Sequence, residues 1–278
     1  MDQPGTYWYH SHVKGQYPDG LRGPLIIHNP DDPYARDYDD EAVITLSDWY
    51  HEQISVLSSR FLSMDNPDGA VPVPQAALMN DSRDVKIKVQ RDKVYRLRII
   101  NMAAAAGFYV WIEGHSMGIV EVDGVYTERA EAEGIYISSG QRYSVLVKAR
   151  KDGAANFAIV GAIDQTLYSM MGHGSGVGMS SSSMAMESMS MMRKRNPMAT
   201  GTMPTPSATG TPSASVANLN VTGWLVYDES QPLPQPTPVS AYKTFDDTTL
   251  SPLDKSPLLP ADHTVTLNVM MAMNSGAM

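Results

Sequence analysis

Cysteine is absent from the 278 residues. That excludes disulfides, thiolate zinc sites, iron–sulfur clusters and a cysteine nucleophile within this chain. Long apolar runs are missing too, and none approaches the ~18 residues of a membrane-spanning helix. Positive charge is in short supply: 21 Lys+Arg stand against 30 Asp+Glu, a formal net charge of −9. An acidic chain of this kind is not built to neutralise phosphates, so no nucleic-acid partner is expected. What remains is globular in type, with 42% hydrophobic and 18% charged residues. The length fits about two domains at ~150 residues each.

Short alternating runs dominate. Val85, Ile87 and Val89 alternate with Lys86 and Lys88; Tyr95, Leu97 and Ile99 alternate with Arg96 and Arg98. Tyr143, Val145 and Val147 follow the same rule. A period of two places these side chains on one buried face of a strand. Further strands are expected at Leu25–His28, Ala42–Ser47, Phe108–Glu113, Ile119–Val122, Ile135–Ser138, Phe157–Gly161, Trp224–Tyr227 and Thr264–Val269. Turn signals punctuate them at Pro18-Asp19-Gly20, Asp68-Gly69, Asp123-Gly124 and Asp152-Gly153. Many short strands at this spacing predict an all-β sandwich or Greek-key barrel. One helix is expected over His51–Ser63, with Ile54, Leu57, Phe61 and Leu62 on one stripe.

Two segments break the pattern. Residues 169–217 are rich in Met, Ser, Gly, Thr and Pro, a composition that can bury almost nothing. Residues 229–261 hold seven prolines and read as an extended linker over a surface. Three pieces follow: 1–33 as the tail of one β-domain, 40–228 as a complete β-domain with a long insertion, and 262–278 as the first strand of a third. The opening Met1–Tyr9 reads as the middle of a domain, and the last residues follow a strand-like run. The expectation is a segment cut at both ends.

The chemistry-bearing stretch is Trp8-Tyr9-His10-Ser11-His12. On a strand, i and i+2 project to the same face about 7 Å apart. Two imidazoles so placed can each serve one of two neighbouring metals, and imidazole suits Zn, Cu and Fe. The plain alternative is two polar residues on a solvent face. Tyr7, Trp8 and Tyr9 either shield such a site or are ordinary strand aromatics, which is the commoner role. The other histidines, His28, His51, His115, His173 and His263, sit in no such pattern and are expected to be structural or superficial.

The flanks carry more. Gly5–His12, followed by Gly15-Gln16-Tyr17-Pro18-Asp19-Gly20-Leu21-Arg22-Gly23-Pro24-Leu25-Ile26-Ile27, resembles the end of the first cupredoxin domain of fungal multicopper oxidases. Leu46-Ser47-Asp48-Trp49-Tyr50-His51 resembles the opening of their second domain, and Val120–Gly124 and Gly140–Val145 resemble its later strands. The resemblance covers most of residues 4–160 plus the strand near Trp224, and is strongest with laccases and the ferroxidases of iron uptake.

The resemblance implies cupredoxin-like Greek-key sandwiches and copper as cofactor. It implies that His10 and His12 each bind one copper of a type 3 pair within a trinuclear cluster that reduces O₂ to water. It also places the remaining histidine motifs and the blue-copper cysteine outside this chain. A blue-copper site needs a thiolate, so this chain alone is expected to be inactive. The partners implied are O₂ and a small reductant, a phenol or Fe(II), with a membrane anchor or permease partner, if there is one, outside the chain. A secreted or cell-surface location is implied, and the sequons Asn80-Asp81-Ser82 and Asn220-Val221-Thr222 suit a glycoprotein. A non-catalytic copper-binding module is the competing class.

Two readings concern specificity and metal handling. In the ferroxidase branch, the position matched by Val71 is a Glu that helps bind Fe(II). Valine offers no lone pair, so a laccase-like phenol oxidase is expected. Ten of the 19 methionines fall within residues 170–203. Thioethers select Cu(I), so this run is either a loose Cu(I) site or a low-complexity loop dispensable for the fold.

Overall fold

The computed structural model describes residues 3–67, 69–152, 155–170, 219–256 and 263–267. The methionine-rich run beyond Met170 lies outside them, as does His173. In chain order the strands among the described residues are β1 (Gly5–His10), β2 (Arg22–Ile27), β3 (Asp40–Trp49), β4 (Ala76–Met79), β5 (Val85–Lys88), β6 (Val94–Asn101) and β7 (Phe108–Ile112). They continue as β8 (Met117–Val122), β9 (Val125–Ala132), β10 (Gly134–Ile137), β11 (Arg142–Lys148), β12 (Phe157–Ile163) and β13 (Asn220–Val226). Two helices, α1 (Ile54–Phe61) and α2 (Thr166–Met170), sit in loops.

One sheet has six strands in the order β4-β3-β6-β11-β8-β9, and the other has five in the order β10-β7-β12-β13-β5. Their inner faces share one apolar core. Ile44, Leu46, Leu97, Ile99 and Val145 come from the first; Phe108, Val110, Ile159 and Leu225 come from the second. Burying each such side chain is worth about 1.5–3 kcal/mol. Pairing is antiparallel except at β3–β6 and β5–β13. Those two parallel pairs are the crossovers of a Greek key, as the strand spacing predicts. β1 and β2 form a separate antiparallel ribbon.

Local departures have local causes. β9, Val-Tyr-Thr-Glu-Arg-Ala-Glu-Ala, has weak strand propensity and was invisible to pattern. It forms because Asp123 (φ 51°) and Gly124 (φ 84°) make a tight turn back from β8. A side chain at Gly124 would collide with the Tyr7 hydroxyl at 2.3 Å. The helix expected over His51–Ser63 is only eight residues long, and Leu62 caps it while 77% exposed. Of the expected stripe only Leu57 is buried. Residues 264–267 form no strand and are exposed.

The described part of the proline-rich segment, residues 229–256, lies over the sandwich. Trp224 Nε1 donates to the Pro234 carbonyl (2.9 Å), and Tyr242 stacks on Tyr109 at 4.1 Å and 9°. Phe245 N donates to the Gly134 carbonyl, Glu128 N to that of Ser251, and Leu253 N to that of Tyr126.

Candidate metal centre

The ribbon β1–β2 presents two faces. Register pairs Tyr9 with Gly23 and His10 with Arg22. Only glycine fits opposite Tyr9, because a Cβ at position 23 would fall 2.7–2.8 Å from the ring. Tyr9 therefore takes the outer face and is 56% exposed. Trp8 and His10 share the other face, and His12 lies just past the end of β1. The ladder runs one bond further, with Ser11 N donating to the Leu21 carbonyl at 3.1 Å.

On that face the rings form a stack. Trp8 and His10 have centroids 4.4 Å apart at 27°, and His10 and His12 are 4.5 Å apart at 27°. Tyr17 closes the side, 4.8 Å from His10 and 6.0 Å from Trp8. Trp8 thus touches the first histidine directly, beyond the role of an ordinary strand aromatic.

The His10 ring nitrogen Nδ1 lies 3.1 Å from the Ser11 carbonyl. A carbonyl only accepts, so the proton sits on Nδ1 and the Nε2 lone pair is free. Metal-ligating imidazoles are commonly oriented by a hydrogen bond of this kind. Neutral nitrogen donors fit copper. Among the described residues no cluster of three or more His, Cys, Asp or Glu side chains gathers to hold a metal. Two imidazoles alone are fewer ligands than a closed metal site holds.

Tyr17 is fixed from behind. Its hydroxyl donates to the Ala104 carbonyl at 3.3 Å. Burial, and next the Asp48 charge, push its phenol above the ordinary 10.0, while Arg22 pulls the other way. Asp48 is itself buried and accepts from the Ala104, Ala105 and Ala106 amides at 2.8, 3.1 and 3.3 Å. Arg22 donates to the Tyr17 carbonyl and pairs with Asp81 at 3.0 Å. Asp19 Oδ1 accepts the first amide of α1, from Ile54, at 2.9 Å.

The remaining described histidines lie apart from this stack. His115 is held between the Glu113 carbonyl (2.8 Å) and the Tyr227 hydroxyl (2.7 Å). His28 is exposed 3.6 Å from Glu41, and His51 and His263 are exposed. Val71 lies, half-buried, in a loop closed by Asn66, which donates to the Phe61 and Ala70 carbonyls. The residues that pattern missed are Thr6, Arg96, Arg98 and Glu121, all buried where the six-stranded sheet meets β1. Alternation with Tyr95, Leu97 and Ile99 gave Arg96 and Arg98 the look of a solvated face.

The sequence and the fold resemble those of known proteins. Two multicopper oxidase family models match, over residues 1–32 and 40–178. The chain is 44% identical over 272 residues to the iron transport multicopper oxidase fetC of Epichloe festucae, and 45% identical to the iron transport multicopper oxidase FET3 of Gibberella zeae. Each match takes in 98% of this chain and 37% of the relative. The chain thus spans little more than a third of the curated relatives it matches. The crystal structure of Fet3p, a multicopper oxidase that functions in iron import, superposes with a TM-score of 0.74 at 34% identity, covering 94% of this chain and 42% of that one. The laccase of Botrytis aclada follows at 0.58 and 28%, covering 89% and 38%. Family models, relatives and fold agree: the chain belongs to the multicopper oxidase family, whose cofactor is copper.

Proposed function

We propose that this chain contributes the His10–His12 pair, as ligands of two neighbouring coppers, to an oxidase that couples Fe(II) oxidation to reduction of O₂. Four Fe(II) give four electrons, and O₂ with four protons takes them up as two waters. Residues 1–33 are then the end of one cupredoxin domain, 40–228 the next, 229–261 a linker and 262–278 the start of a third. The observation that carries the reading is the stacked imidazole pair with its Nδ1 proton parked on the Ser11 carbonyl. Copper, when bound, supplies one-electron redox change. The chain's own part is to orient two lone pairs, with Trp8 and Tyr17 limiting ring rotation and water access beside His10. A secreted or cell-surface setting suits an oxidase of iron uptake.

The relatives named for iron transport support Fe(II) over the phenol expected from Val71. The phenol reading keeps one observation: the valine has neither charge nor lone pair for a hard cation. The test is kcat/KM for Fe(II) and for a substituted phenol on the native protein, repeated with Val71→Glu. Preference for Fe(II) supports the proposal, and preference for the phenol overturns it. His10→Ala and His12→Ala should each abolish O₂ reduction while leaving the blue copper reducible. Normal turnover in either overturns the ligand assignment.

A further inference from the structure

Among the described residues β1 is bonded to one strand only, and its other edge is completed by side chains of the six-stranded sheet. All of that completion falls on Thr6, which is fully buried. Its amide donates to Glu121 Oε1 at 2.6 Å, and its carbonyl accepts from Arg142 Nε at 3.0 Å. Its hydroxyl accepts from Arg98 Nη1 at 2.9 Å and lies 3.0 Å from Ser144 Oγ and 3.2 Å from Glu121 Oε2. Ser144 in turn donates to Glu121 at 2.6 Å. Every polar group of Thr6 is therefore held by β6, β8 or β11.

Thr6, Trp8 and His10 share one strand face by the period of two, and His12 continues it past the strand end. A two-stranded ribbon is marginal by itself. A slip or roll at Thr6 would turn Trp8 and both imidazoles with it. The clamp lies roughly 13 Å from His10 at ~3.3 Å per residue, so it acts through the strand and not by touching the metal.

We infer that Thr6 is a positioning residue for copper: gripped by Glu121, Arg98, Arg142 and Ser144, it sets the face and pitch at which β1 delivers His10 and His12. The inference rests on those two histidines being copper ligands.

The experiment is chelator competition on the native protein, reading copper retained per chain, with thermal unfolding measured alongside. Thr6→Val keeps the shape and removes the hydroxyl. It should weaken copper retention at least about 3-fold and no more than the roughly 10- to 100-fold typical of groups bonded to the ligands themselves, because it acts through the strand. Thr6→Ser should retain copper at the wild-type level. Val221→Ala, in the core of the other sheet, should lower the Tm and leave copper retention unchanged. Wild-type retention in Thr6→Val overturns the inference. So does loss of copper in Val221→Ala in step with its Tm, which would make the effect one of stability alone. Should Thr6→Val fail to fold, Ser144→Ala carries the test, and its retaining copper as the wild type does overturns the inference. His12→Ala separates the two levels. If it keeps its copper, the ligand reading itself falls; if it loses copper while Thr6→Val does not, only the clamp falls.

Discussion

Arg96 and Glu121 form a 2.7 Å ion pair in which neither side chain is more than 1% exposed. Arg96 also pairs with Asp32, in the segment that follows β2. One guanidinium therefore ties the chain leaving the β1–β2 ribbon to the sheet that holds the start of that ribbon. Removing Glu121 leaves Arg96 with Asp32 alone and Arg98 with Glu41 alone and takes the acceptor from Thr6 N and Ser144 Oγ; breaking a buried pair of this kind costs about 3–5 kcal/mol. Glu121→Ala should lose that much in chemical denaturation. A loss under about 1 kcal/mol would mean that water reaches the site.

Asp48 supplies a second test. Its carboxylate accepts three consecutive amides, Ala104 to Ala106. Asp48→Asn turns a donor towards those donors. The expected cost is about 1–3 kcal/mol, because buried amides lose their acceptor. Denaturant midpoints of the two proteins measure it.

The strap over the second sheet should detach at one substitution. A Cβ on Gly134 would fall 2.3 Å from the Lys243 carbonyl, on the turn where Phe245 N bonds back to Gly134. Gly134→Ala should open the strap near residues 241–247 and raise limited proteolysis there. An unchanged cleavage pattern would show that the strap yields without leaving.

His115 should make stability depend on pH. Burial holds its imidazole below the ordinary 6.5, Arg150 adds to the effect, and the Glu113 carbonyl opposes it. Below about pH 6.5 the unfolded chain binds more protons than the folded one, so stability falls on acidification and levels off below the folded-state pKa. His115→Gln removes that proton uptake. Between about pH 7.5 and about pH 5, the wild type should lose more stability than the variant. Equal losses would place the pH dependence elsewhere.

Strands with apolar alternation were legible because one face of each is core: Val85, Leu97 and Val145 are buried as their period requires. The histidine pair was legible from its flanks. What the sequence hid depends on partners distant in the chain. Arg96 is as polar as Lys86, yet one is fully buried and the other is exposed beside Asp84. The difference lies in Asp32 and Glu121. Asn80 reads as a sequon, but its side chain caps a strand: Oδ1 accepts from Thr45 N at 2.7 Å and Nδ2 donates to the Val43 carbonyl. Thr6 carries no sequence signal at all, since its importance comes from four residues between 92 and 138 positions away.

The parallel pairing of β5 with β13 has a consequence for synthesis. Among the described residues β5 is bonded to β13 alone, and β13 begins at Asn220, after the long methionine-rich run. Extra length in that run costs little at equilibrium, about 0.6 kcal/mol per doubling. On the ribosome it costs time. At about 5–20 residues per second, β5 emerges roughly 7–26 s before β13 exists. Over that interval Val85 has no sheet to join, and the growing chain carries an open apolar edge that a chaperone, or a neighbouring chain, can reach first.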